Sequence, residues 1–372
     1  MLVSSELKAC QDLAVIFANK ELIPNRETND KYPFGPFWDD ILTEANEVGF
    51  FSICAPCEIG GTGQGMAALC TILQALCQSD ASLGGIIFAN TTAQEIMLTA
   101  GCGEELAAVL AEAAQAHDFL LAFPSFNNPS EMKPDVKARK DGDSYVLDGT
   151  LEYLVLGGLA KYAIVPAFIE GQTVYSFFLV KLTGGGITLG EPIFSLGLHA
   201  CPAVDAKFSA AKAKLIGIEG LGNQYFSAIV DKMSTAAAAM GAGIMQGSFN
   251  EALAYCKERY QGGKPIAQWS EVQMILSSIA VKAKAAEMIV LHAMYAVDNR
   301  EPGWASTSRA AAIHILELAC DATTDGIQML GGYGYMKDYG QEKRFRDAKQ
   351  IQALLGLHPM KKLSFIRSML AE

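Results

Sequence analysis

The side chains best suited by type to proton chemistry lie near the C-terminus, in GGYGYMKDYGQEKRFRDAKQIQALLGLHP (331–359). A glycine pair, a charged turn and an Arg-Asp-Ala-Lys run lead to a point where a carboxylate could act as a general base. The residues found there are Leu354, Leu355 and Gly356. His358 follows closely, and an imidazole suits proton transfer near neutral pH. Two other motifs carry the right residue types with the wrong surroundings. Cys54 and Cys57 in CAPC have the spacing of a redox or metal pair, but no second pair stands near to complete a zinc site and no βαβ pattern surrounds them. They are read as structural thiols, with no metal expected. The loop EIGGTGQG (58–65) is glycine-rich, yet no strand precedes it and its spacing is not G-x-G-x-x-G, so it reads as a turn between helices.

The elements that must position these residues fall into three textures. Residues 1–119 read as an N-terminal helical domain: SSELKACQDLAVIFANKEL with a Ser cap, PFWDDILTEANEVGF ending near Gly49, and a helical pattern continuing from Gly65 to the stop at Gly101. Residues 120–225 read as a middle β-domain of short alternating runs, with DGDSYVLDGT as a strand between two Asp-Gly turns. Residues 226–372 return to long helices, a four-helix-like C-terminal bundle, with Ser270 expected to cap its second helix and Gly331 and Gly332 to end its third. The fold class is therefore α+β, in the order α–β–α.

At 372 residues the chain has room for two or three cores. A net charge of −11 argues against a nucleic-acid partner. The nine cysteines are scattered and odd in number, which fits free thiols in a reducing compartment. No run of about 20 uncharged apolar residues would span a bilayer, and MLVSSELKAC lacks the basic start and apolar core of a signal peptide, so a cytoplasmic location is expected.

Several strings in this order resemble the acyl-CoA dehydrogenase family: PCEIGGTGQG, GDSYVLDGTLEYLVLGG, LGLHACPAVDAKF, ERYQGGKPI and DGIQMLGGYGYMKDYGQEKRFRDAK. The resemblance implies an FAD-containing tetramer in which a glutamate takes the α proton of an acyl-CoA thioester, hydride passes to the flavin, and an electron-transferring flavoprotein receives the electrons. Residue by residue, the family's catalytic glutamate falls on Leu355, and the alternative glutamate of some members falls on Met233. Asp231 matches a substrate-side Asp, but the Arg three residues later is Ser234. The Trp covering the flavin corresponds to Tyr153 and the Thr at its N5 to Val155, while Asn128 and Ser130 remain as donors. Arg259 falls on the FAD-diphosphate arginine, and Gln328, Gly331 and Gly332 keep the Gln-x-x-Gly-Gly motif that meets the adenosine half in a neighbouring subunit. The family Phe before the Lys is replaced by Gly262.

Three functional readings follow. In one, the chain desaturates an unusual acyl-CoA, cyclic or aromatic-derived, with a base relocated to His358, Glu95 or Glu152. In the second, it is a catalytically silent subunit of a heteromeric dehydrogenase, completing a sibling's FAD site within a homo- or hetero-oligomer. The third is a flavin-dependent oxidase or monooxygenase on the same fold.

Overall fold

A computed structural model describes residues 4–32, 37–131, 133–142 and 144–370, with the backbone alone at 37–39. Met1–Val3 of the N-terminal reading and Pro33–Pro36 at the head of the second helical stretch lie outside the described residues. The helical first part comprises α1 (Ser5–Phe17), α2 (Arg26–Asn29), α3 (Phe37–Glu47), α4 (Met66–Cys77), α5 (Ala81–Thr99) and α6 (Gly103–Ala111). The Ser4 hydroxyl accepts the Leu7 N–H and starts α1 as the sequence predicts. The pattern from Gly65 to Gly101 is two helices instead of one, because Asp80 turns its carboxylate onto the Ser82 N–H at 2.8 Å and begins α5. Helix α5 is buried continuously from Ala81 to Met97, so it forms the centre of this part.

The middle part is a barrel. Strands β1 (Leu121–Ala122), β2 (Asp135–Asp141), β3 (Ser144–Val155), β4 (Tyr162–Ile169), β5 (Tyr175–Lys181), β6 (Ile187–Leu189) and β7 (Ala203–Ile216) share one sheet. Its order runs β4-β2-β3-β7-β5, and β4–β5 pairing closes the ring; β1 joins the β4 edge and β6 the β7 edge. Only one of the two Asp-Gly pairs expected as turns ends a strand. Asp148–Gly149 lies inside β3 as a bulge, where the register against β7 shifts. Gly149 has φ 126°, and a Cβ there would stand 1.9 Å from the Asp135 carbonyl oxygen, so only glycine fits.

The third part contains α7 (Gly222–Glu258), the small pair β8 (Tyr260–Gln261) and β9 (Lys264–Pro265), then α8 (Ser270–Asp298), α9 (Trp304–Leu330), α10 (Gln341–Ile351) and α11 (His358–Leu370). Ser270 is the first residue of α8 and not its cap; Trp269 holds that place without a side-chain bond. Gly331, at φ 57°, closes α9. The α4 N-terminus is closed from a distance: Asp298, at the end of α8, accepts the N–H groups of Met66 and Ala67 at 2.7 and 2.8 Å. Among the described residues no helix is long and apolar enough to cross a membrane.

A buried ionic knot joins the three parts. Lys343 of α10 donates to Asp80 at 2.9 Å and to Asp347 at 2.7 Å, and Asp347 accepts the Leu198 N–H at 2.7 Å. Arg346 reaches Asp30, Glu342 and the Leu196 carbonyl, while His199 sits 3.0 Å from the Asp30 carboxylate. Lys343 is 4% exposed, so its charge depends wholly on these partners. Lys343→Met would leave Asp80 and Asp347 facing each other without a cation, and it should destabilise the fold by about 3–5 kcal/mol. Urea unfolding measures this, and Lys343→Met with Asp347→Asn should recover part of the loss. A single variant within about 1 kcal/mol of the parent would rule out the knot as a principal brace.

Candidate functional site

Two regions hold the residues singled out by the sequence, and they differ sharply in character. The first is an outward-facing cavity of about 750 Å³ at the far ends of α7 and α9. Arg259, Gln328, Gly331 and Gly332, which the family resemblance assigns to FAD contacts, line it together although they lie more than 65 positions apart. Arg259 caps α7, and its guanidinium stands 5.6 Å from the centre of the Tyr333 ring. Tyr255, Tyr333 and Tyr339 form an aromatic cluster with centroids 5.2–6.3 Å apart. Gly262, where an aromatic ring is missing from the sequence, is covered by Trp269: a Cβ at 262 would stand 2.9 Å from that indole. The ring comes from seven positions downstream, outside the ERYQGGKPI string.

The second region is the cleft around Leu355. Here the chain has closed in. The Leu355 N–H donates to the Ser125 carbonyl at 2.7 Å, and its side chain is 3% exposed. Leu355 takes φ 63°, a left-handed conformation that costs a branched residue about 1 kcal/mol or more. Tyr153 and Leu156 on the flanking strand end are also left-handed, at 56° and 64°. The Tyr153 hydroxyl accepts from Gln350 at 2.8 Å and its ring meets Phe126 edge-on at 5.6 Å. Met233 and Val155 are fully buried, and Val155 is tied by its carbonyl to the Phe123 N–H at 3.1 Å. The cavity that Leu355 lines measures about 40 Å³, room for a water or two, whereas small-molecule and cofactor pockets run to roughly 300–1,000 Å³.

The remaining sequence candidates are held by ion pairs or lie apart. Glu95 is buried, not an exposed helix residue, and accepts from Lys232 at 2.7 Å. His358 faces Glu317 of α9 at 3.2 Å, and burial lowers its pKa. Glu152 is exposed on β3, in a separate groove that includes Lys133 and Pro166. Asp231 receives Arg309 Nε at 2.5 Å, and burial nonetheless raises its pKa. That arginine arrives from α9, one helix away from the Ser234 position where the sequence lacks one. Ser130 donates to Asn223 at 2.5 Å, and its N–H is held by the Asn128 side chain at 2.9 Å.

Sequence reasoning missed three charged groups that do line the small cavity: Arg309, already paired with Asp231, and Glu131 and Lys361. Glu131 accepts the Leu357 N–H at 3.2 Å and the Asn128 amide at 3.1 Å, and burial raises its pKa. Lys361 donates to the Gln352 carbonyl at 2.9 Å, and burial lowers its pKa to about 8. Neither belongs to a motif, and only the closure of the 352–358 loop brings them near Leu355.

A flavin can be tested against both regions. The outward cavity, with an arginine, a backbone glycine pair and aromatic rings set edge-on and tilted to one another, fits the diphosphate and adenine end of a dinucleotide. The cleft does not fit a three-ring isoalloxazine, because Leu355 and its bond to Ser125 occupy the space, although the Ser125 hydroxyl is left buried without a partner.

Comparisons with known proteins add to this geometry. Residues 4–117 match the acyl-CoA dehydrogenase N-terminal domain, and residues 222–369 match the acyl-CoA dehydrogenase C-terminal domain. The chain is similar to the "Probable acyl-CoA dehydrogenase FadE25" of Mycobacterium tuberculosis, 29% identical over 363 residues that cover 95% of this chain and 92% of that one. It is also similar to the cyclohex-1-ene-1-carbonyl-CoA dehydrogenase of Syntrophus aciditrophicus, 25% identical over 378 residues, 99% of this chain and 91% of that one. A chain solved in work on the electron-transferring flavoprotein of Acidaminococcus fermentans and flavin-based electron bifurcation superposes with a TM-score of 0.91 at 27% identity, covering 100% of both.

The lowered pKa of Lys361 gives a pH test. Folding disfavours its charge, so the cost is fully present below about pH 8 and is relieved as pH rises toward the ordinary value of 10.5. Lys361→Met should stabilise the protein by about 2–3 kcal/mol at pH 7, and by little at pH near 10. Urea midpoints of the two proteins at both pH values measure it; an equal gap at both would mean that the amine is solvated.

Proposed function

Because the chain belongs to the acyl-CoA dehydrogenase family, with its N- and C-terminal domains both matched, we propose that it is the subunit without a base in a heteromeric acyl-CoA dehydrogenase. It presents Arg259, Gln328, Gly331 and Gly332 to the FAD of a sibling subunit, the chain that carries the catalytic glutamate. FAD is the cofactor of this family and accepts the β hydride when an acyl-CoA thioester is oxidised across its α and β carbons. The observation that carries the reading is the closure at Leu355, where the general base should stand: an apolar side chain, a backbone bond to Ser125 and a cavity of about 40 Å³. Removing a positioned base costs roughly 10²–10⁴ in rate, so the proton must leave elsewhere.

In this assembly the 1–119 helical part and the 120–225 barrel act as scaffold, and the 226–372 bundle supplies the contacts to the sibling. The electron acceptor in this reading is an electron-transferring flavoprotein, and the assembly is a tetramer of two kinds of chain. Tyr153, Val155 and Ser130 then line a cleft without flavin, and Asp231, locked on Arg309, is withdrawn from substrate.

A second reading is favoured by one observation: the Glu131 carboxyl, with its raised pKa, shares the cavity of Leu355. If the 352–358 loop opened to admit a flavin and a thioester, Glu131 would be the relocated base. An unusual acyl group would then suit its shifted position, and one relative is named for a cyclohexene carbonyl-CoA.

Flavin content separates the two. Purified alone, the chain should be colourless; coexpressed with a glutamate-bearing sibling, the complex should hold one FAD for each pair of chains. Arg259→Ala in this chain should weaken FAD retention in the complex by about tenfold or more. One FAD per chain in the isolated protein, bleached by an acyl-CoA and no longer bleached in Glu131→Gln, would overturn the first reading and establish the second.

A further inference from the structure

Strained and unsatisfied groups gather at one place, the 352–358 loop that closes the cleft and the first turn of α11 behind it. Leu355, Tyr153 and Leu156 hold left-handed backbone, at φ 63°, 56° and 64°. The Ser125 hydroxyl is buried without a partner, although its carbonyl takes the Leu355 N–H at 2.7 Å. His358, which begins α11, has both ring nitrogens covered and without a hydrogen bond; Glu317 lies 3.2 Å from Nε2 and is already engaged by Lys362. Lys361 completes the group. Its ammonium donates to the Gln352 carbonyl at 2.9 Å and enters no ion pair among the described residues.

The charged groups around Lys361 come from four elements. Glu131, from the loop before β2, is the acid that acts on it, and that carboxylate is itself held by the Leu357 N–H and the Asn128 amide. Across the same small cavity α9 presents Arg309, which is locked on Asp231 of α7. On its own helix stand His358 and Lys362, the latter on Glu317 of α9. Burial lowers the Lys361 pKa to about 8 in spite of Glu131. Gln352 is the first residue of the loop, so ammonium and loop are joined directly. Gly356, at φ 121°, permits the tight closure: a Cβ there would stand 2.9 Å from that of Asn128.

We propose that residues 352–358 form a proton-coupled latch: closed, they hold Leu355 in the cleft and cover Lys361; open, they uncover the cleft and return the amine to water with a proton bound. Opening relieves the left-handed backbone and gives the His358 nitrogens and the Ser125 hydroxyl water to bond. Below about pH 8 the amine is charged in both states, and closure carries the full cost of covering a cation. Between about 8 and 10.5 the closed loop holds a neutral amine and opening takes up one proton, so opening becomes rarer as pH rises. The His358 ring, lowered from 6.5, stays neutral above pH 7, and the Tyr153 hydroxyl, raised from 10, keeps its proton at pH 9. The latch rests on the closure at Leu355, and either dehydrogenase reading can stand or fall without it.

Hydrogen exchange of the full chain, read at single amides by mass spectrometry at pH 7 and pH 9 and corrected for the intrinsic rate at each, tests it without reference to flavin. The Leu355 N–H should be less protected than the amides at 86–88 in the centre of α5, and urea below the unfolding transition should leave its rate unchanged, as a local opening requires. Its opening equilibrium should fall about tenfold from pH 7 to pH 9. In Lys361→Met, with folding checked by circular dichroism melting, the Leu355 N–H should be more protected at pH 7 and show no such change. A Leu355 N–H as protected as α5, an equilibrium equal at both pH values in the parent, or a change that survives in Lys361→Met would each overturn the latch.

Discussion

Everything else in this molecule is arranged around a lysine that is almost wholly removed from water. Lys343 places an ammonium between Asp80, which starts α5, and Asp347, which fixes the Leu198 backbone of the barrel's last loop. Next to it, Asp30 holds both Arg346 and His199. Burial alone would raise the Asp30 pKa, but His199 and Arg346 together bring it well below the usual carboxylate range. The same contact raises His199, against its own desolvation. Charges removed from water at such cost are tolerable only as a complete set. The set draws members from the N-terminal helices, the barrel loop and α10, so it fixes how the three parts meet. Apolar packing is non-directional and could accept several docking angles; the knot accepts one.

That fixed docking makes the cleft between barrel and bundle a narrow place with little freedom to adapt. With Leu at 355, the segment after α10 finds its hydrogen bond at the Ser125 carbonyl and its apolar partners in the cleft wall. Three non-glycine residues hold left-handed backbone around it. Strain of this kind persists when surrounding contacts over-determine a loop. Here those contacts include Glu131 on the Leu357 N–H and Lys361 on the Gln352 carbonyl. Together they staple the loop shut at both ends, so the closure rests on a cooperating set and not on one leucine.

Much of the architecture was legible in the sequence because it rests on periodicity and punctuation. Ser4 caps α1, Gly331 ends α9, and the alternation of 144–155 lies along a barrel strand, all from local rules. What the sequence hid depends on distant partners. Asp148–Gly149 looks like a turn and is a bulge, because β7 runs alongside it. Ser270 looks like a cap but is already inside the helix. At the site, motif residues were readable one by one, and Arg259 and the Gln328–Gly332 turn do share one cavity. Compensations were invisible: Trp269 for a missing ring, Arg309 for a missing arginine, Glu131 and Lys361 beside Leu355. Each comes from outside the motif in which the family residue is missing.

The two regions differ in what their polar groups can be for. In the cleft, the polar atoms that remain are mostly spent on the chain itself: Tyr153 on Gln350, Asp231 on Arg309, Glu131 on the loop backbone. In the outward cavity, which Asp338 also lines, Arg259 forms no ion pair within 4.0 Å among the described residues; its side chain lies against Tyr333, beside glycines whose backbone is open to approach. An arginine without an ion pair, set beside aromatic rings in about 750 Å³ of space, is an incomplete arrangement as a piece of core. In the proposed reading an anionic, aromatic group from outside the chain completes it. The spent groups lie in the cleft that the proposed reading takes as structural. The unspent ones lie on the side where the proposed reading places the flavin nucleotide of a sibling subunit.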